Sequence, residues 1–112
     1  MDNLSEMLKG VLPGVVLEII GRGEVYGYEI VKKLSEIGLD VAEGTVYTIL
    51  MRMEKTNLVY ITKRPSAIGP QRKFYRLNGH GERELSLFWQ RWGFLRERVE
   101  RLQRMQTKGG AE

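Results

Sequence analysis

A seam of apolar residues runs down the last third of the chain. Leu85, Phe88, Trp92, Leu95, Val99 and Leu102 recur at alternating steps of three and four. That spacing holds one side of an α-helix apolar over nearly three heptads. Leu87 and Phe94 widen the seam, and no proline interrupts it. The pattern predicts a helix over residues 79–105 with Asn78 as its N-terminal cap. A chain of 112 residues builds a single core burying about two-thirds of its unfolded surface. That core cannot cover so long a stripe, and an uncovered stripe is an aggregation surface. The expectation is therefore a homodimer, with this helix packed against the partner and against the partner's first helix.

Three shorter helical patterns precede it. Leu8, Val11, Leu12, Val15, Val16, Ile19 and Ile20 predict a helix over about 5–21. Ser5 is a candidate cap, and Pro13 is expected to kink the helix or restart it. Ile30, Val31, Leu34 and Ile37 give the inner face of a second helix over 27–37, with Gly38 as its stop. Lys32, Lys33 and Glu36 face water. Val46, Ile49, Leu50 and Met53 give the buried seam of a third helix over 43–56. Thr45, Thr48, Arg52 and Lys55 form its polar face, with Tyr47 to one side. Asn57 suits the left-handed residue that ends it.

Two β-rich runs follow, at 58–63 and 72–77. Pro65, Gly69 and Pro70 punctuate the segment between them, so the pair is expected to form a hairpin with a long tip. The fold class is mainly α with a small β-hairpin: a winged helix-turn-helix plus a long C-terminal dimerisation helix. The expected division is 1–78 for the winged helix-turn-helix, 79–106 for the dimerisation helix and 107–112 for a flexible tail, in one compact domain. In such folds the second helix of the pair enters the DNA major groove.

Charge supports that reading. Between residues 59 and 76 stand Lys63, Arg64, Arg72, Lys73 and Arg76, with no acidic residue. The whole chain carries +4, so everything outside this stretch sums to −1. A cationic cluster on a wing neutralises phosphates. Its bland alternative is protection of an exposed sheet edge. Several other functions are excluded. With no Cys and one His, the chain has no disulfide framework, thiolate metal site or catalytic zinc set. His80 sits between two glycines with no catalytic partner beside it, so no enzyme, metal or cofactor is expected. The longest apolar stretch, 11–20, contains Pro13, Gly14 and Glu18. It falls short of the roughly 20 residues of a membrane span and follows acidic residues, unlike a signal peptide. A soluble, cytoplasmic protein without a membrane partner is expected.

Three motifs carry a family resemblance. Tyr26-Gly27-Tyr28-Glu29-Ile30 resembles the "YGYEI" motif of the PadR family. Gly44-Thr45-Val46-Tyr47, then Leu50, Arg52, Met53 and Glu54, resembles that family's recognition helix. Gln71-Arg72-Lys73-Phe74-Tyr75-Arg76-Leu77, followed by Gly81, resembles its wing signature. The likeness spans about residues 7–104. Asn78 stands where Thr usually follows the wing; both cap helices.

The resemblance implies a dimeric winged-helix repressor of a pseudo-palindromic operator in double-stranded DNA, often released by a small-molecule effector. It makes Tyr47, Thr48, Arg52, Arg72 and Lys73 the leading DNA-contact candidates, with Tyr28, Thr45, Lys63 and Arg64 beside them. Chains this short resemble the subfamily without an extra C-terminal domain. There a Trp of the last helix and its two-fold mate line a hydrophobic pore that takes planar aromatic or cationic molecules. Trp92 matches that Trp by its spacing from the wing. Leu8, Val15, Phe88 and Trp89 are candidate lining residues, and Leu95 and Val99 extend the interface. The alternative, in which Trp89 and Trp92 only pack the interface, stays open. The competing function is a winged-helix protein–protein module without a DNA site, against which the basic hairpin argues.

Overall fold

Val16, Ile20, Ile30, Leu34, Val46 and Leu50 are the largest fully buried side chains, and they come from three different helices. The computed structural model describes residues 2–106. In chain order the elements are α1 (Asp2–Gly21), β1 (Val25–Tyr26), α2 (Gly27–Glu36), α3 (Glu43–Lys55), β2 (Val59–Arg64), β3 (Arg72–Leu77) and α4 (Gly79–Arg104). α1, α2 and α3 close around those residues, and Val25, Val59, Tyr75 and Leu77 seal the core from the sheet side. The mainly helical winged fold expected from sequence is the one observed. The tail expected at 107–112 lies outside the described residues.

Helix ends follow local chemistry. After α2, Gly38 takes φ +85°, a left-handed conformation cheap only for residues without a Cβ. Leu39 N–H then donates to Leu34 at 2.9 Å and Gly38 N–H to Ser35 at 2.9 Å, the paired bonds of a Schellman stop. α3 ends the same way through Asn57, at φ 57°, with Leu58 N–H donating to Met53 at 3.0 Å. At the start of α2, the Glu29 carboxylate accepts from the Tyr26 N–H at 3.1 Å. At the start of α4, Asn78 accepts from Gly81 N–H at 2.9 Å. The buried Asn78 side chain also donates to the Asn57 carbonyl at 2.9 Å, tying the end of α3 to the start of α4.

Four details differ from the sequence expectations. α1 begins at Asp2, so Ser5 lies within the helix and does not cap it. α1 is one helix through Pro13 and does not restart there, although the proline forfeits one backbone donor. Ile37 is exposed, because it falls at the C-cap position where the chain leaves the helix path. The hairpin is part of a three-stranded antiparallel sheet of order β1-β3-β2. β1 has two residues, too few for period-two alternation to register.

α4 crosses α1 where Gly14 faces the Phe88 ring. Beyond that crossing its seam is open: Trp92, Leu95, Val99 and Leu102 are all exposed, Leu102 to 69%. No helix among the described residues is long and apolar enough to cross a membrane.

Candidate nucleic-acid interface

α3 divides its surface three ways. Val46, Leu50 and Met53 are buried. At 100° per residue, the line opposite them is Gly44, Thr48, Met51 and Lys55, and all four are exposed. Thr48 Oγ1 donates to the Gly44 carbonyl at 2.9 Å, which keeps its hydroxyl against the helix. Thr45 and Arg52 lie on one flank. With Thr48 they line an open groove of about 800 Å³ shared with Leu8, Lys9 and Leu12 of α1. Tyr47 lies on the other flank, its ring 2.5 Å from where a Cβ on Gly27 would stand. The bare backbone of the first residue of α2 therefore seats the Tyr47 ring and leaves it half exposed. Tyr28 is exposed one residue further on, with the Lys32 ammonium 6.0 Å from its ring centroid. The polar face anticipated from sequence is thus split, with Thr45 and Arg52 turned toward α1 and Tyr47 toward α2. Met51 was missed as part of this face, although it lies three residues after Thr48 and four before Lys55.

The wing is built from β2 and β3. Their register sets Lys63 opposite Lys73 and Arg64 opposite Arg72. Like charges directly opposite each other on neighbouring strands repel, and here two successive rungs do so. Alternation puts Lys63 and Lys73 on one sheet face and Arg64, Arg72 and Arg76 on the other. Partners from elsewhere ease part of the repulsion. Arg64 pairs with Glu24 at 2.7 Å and lies 4.5 Å from the Phe74 ring centroid. Arg72 stacks 4.5 Å from Tyr26, and Arg76 lies 5.1 Å from Tyr60. Lys73 reaches Glu54 of α3 at 3.6 Å. The hairpin contains no acid, yet Glu24 and Glu54 approach it from outside. Among the described residues Lys63 forms no ion pair. Behind the wing, burial pushes the Tyr75 hydroxyl above its ordinary pKa, and the charges of Glu54 and Tyr47 add to the effect.

The second cluster lies where α1 meets α4. A groove of about 280 Å³ there is lined by Val11, Pro13, Gly14, Phe88, Trp92 and Leu95, among others. The structure brings Phe88, Trp92 and Leu95 together in it. Leu8 lines the α3-side groove instead, Val15 packs against the core, and Val99 lies further along the exposed seam. Trp89 turns to the other side: its indole N–H donates to Glu18 Oε1 at 2.8 Å, and its ring meets Phe88 edge-on at 5.1 Å. His80 is exposed and hydrogen-bonds with Arg83 at 2.7 Å.

Comparison with known proteins gives a consistent result. The family model described as the PadR-like family of transcriptional regulators matches residues 16–87. A Streptococcus transcriptional regulator of known structure is 45% identical, over 87% of this chain and 96% of its own, with a TM-score of 0.77. A PadR-like transcriptional regulator from Bacillus cereus is 42% identical, over 90% of this chain and 99% of its own, with a TM-score of 0.79. Bacillus subtilis PadR, solved in complex with operator DNA, shares the fold at 21% identity, over 70% of this chain and 46% of its own, with a TM-score of 0.65.

Proposed function

The chain belongs to the PadR-like family of transcriptional regulators, and from that membership we propose that it is a repressor binding a pseudo-palindromic duplex operator as a homodimer. The observation that carries the DNA reading is the double rung of like charges, Lys63 against Lys73 and Arg64 against Arg72. Such rungs cost stability in isolation. They become favourable where phosphates lie across them, because cation–phosphate contacts release counterions.

In this reading α3 enters the major groove. Thr48, Met51 and Lys55 face the bases, with Tyr28, Thr45, Tyr47 and Arg52 at the flanks. The wing cations Lys63, Arg64, Arg72 and Lys73 hold the backbone. Residues 1–78 form the DNA-reading head, and 79–106 join two heads through the open seam of Trp92, Leu95, Val99 and Leu102. Two recognition helices about 34 Å apart reach half-sites one DNA turn apart. The groove at Phe88, Trp92 and Leu95, completed across the two-fold axis by its counterpart, takes a hydrophobic effector. Such a ligand releases DNA only if it binds the free arrangement of heads more tightly than the DNA-bound one.

The test is a mobility-shift titration with the duplex lying upstream of the protein's own coding region, at two salt concentrations, against a scrambled duplex. Selective and salt-sensitive binding supports the proposal. Equal binding to both duplexes, or none, overturns it.

A further inference from the structure

We propose that Met51 reads a thymine, its thioether side chain resting on the 5-methyl group in the major groove and setting a base preference of the site. The inference rests on the duplex-DNA reading above. Met51 is 65% exposed and sits in the middle of the outward line of α3, opposite Leu50 and Met53, which hold the helix to the core. Its side chain has no part in that packing, so a polar residue serves the fold equally well.

A lone exposed apolar residue is ordinary on a protein surface. The surroundings of this one are not those of a protein-docking patch. Thr48, Arg52 and Lys55 stand within one helical turn of it, and Lys73 of the wing lies beyond Glu54. One apolar tip among hydroxyl and cationic groups, with the acid within the same turn, Glu54, paired to Lys73 at 3.6 Å, matches a duplex groove, where phosphates flank stacked base edges. Among the four bases in the major groove, only thymine presents a methyl group. An unbranched thioether with three rotatable bonds adapts to it at low cost. Lysine or arginine at this position would instead favour the acceptor edge of guanine.

The experiment starts from the duplex that the purified protein enriches from a random pool. Each thymine of a half-site is then replaced by deoxyuridine, which deletes the methyl and keeps every hydrogen-bonding group. Affinities are measured for the parent protein, Met51→Ala and Met51→Lys, with thermal melts to confirm that the fold is intact. One thymine per half-site is expected to lose about fourfold in affinity for the parent on deletion of its methyl, the worth of one buried apolar carbon. Met51→Ala is expected to bind the thymine and deoxyuridine duplexes alike, and Met51→Lys to lose the thymine preference. Salt-sensitive binding in which no thymine matters, or in which Met51→Ala suffers the same loss as the parent, overturns the Met51 assignment and leaves the DNA reading standing. Absence of salt-sensitive duplex binding removes both.

Discussion

The phenyl ring of Phe88 rests on the backbone of α1 at Gly14, in the space a Cβ would occupy. α1 and α4 cross at this point, and beyond it the apolar seam of α4 emerges from the core. Immediately beside it, Trp89 hydrogen-bonds to Glu18, and the same carboxylate accepts from Arg22 at 2.9 Å.

Gly14→Ala reverses the usual sign of such a change. In an ordinary helix interior the substitution stabilises by about 1 kcal/mol. Here the new methyl must displace the Phe88 ring, and overpacking of this kind destabilises by roughly 1–3 kcal/mol. A lower urea midpoint is expected, recovered in part by Phe88→Leu in the same chain. A midpoint at or above the parent's contradicts the contact.

Asn78→Ala removes the cap to Gly81 together with the tie to Asn57, which runs to both its carbonyl and its side-chain oxygen. Loss of a cap alone costs about 1 kcal/mol. Because the side chain is buried and doubly bonded, about 2 kcal/mol is expected, read from thermal or urea denaturation. Asn78→Thr keeps the cap and loses the tie, so it should fall between the two.

Alkaline stability depends on Tyr75. Burial, helped by Glu54 and Tyr47, holds its proton on in the folded state, whereas the unfolded chain releases it near pH 10. Above that pH the unfolded state therefore binds fewer protons than the folded one, and stability falls as pH rises. The contribution is complete below pH 10 and is lost as pH climbs through the raised value. Tyr75→Phe should lose less stability than the parent between pH 9 and pH 11, measured by melting temperature at each pH. Equal losses contradict the assignment.

Much of this is legible in the sequence. Periodicity placed all four helices, because each has a single apolar side to bury. The two wing strands were marked by their β-branched and aromatic runs, and Gly38, Asn57 and Asn78 by the chemistry of helix ends. What escaped depends on contacts between distant residues. β1 is Val25 and Tyr26 alone, and it becomes a strand only by pairing with Tyr75 and Phe74. Glu24 and Glu54 lie outside the hairpin, so counting its charges could not show that they hold Arg64 and Lys73. The division of the α3 face, with Arg52 turned to the α1 groove and Tyr47 seated on Gly27, depends on which neighbours crowd each flank. Ile37 fitted the apolar pattern but fell one step past the last helical residue.

The central claim is that the wing cations hold DNA phosphates, and the most direct measurement is the salt dependence of duplex binding. Affinity for one duplex is measured across a series of salt concentrations for the parent and for Arg72→Ala/Lys73→Ala. The account predicts weaker binding to every duplex and a log–log slope shallower by about 0.9 for each phosphate contact removed. A variant that binds with the parent's slope would contradict it.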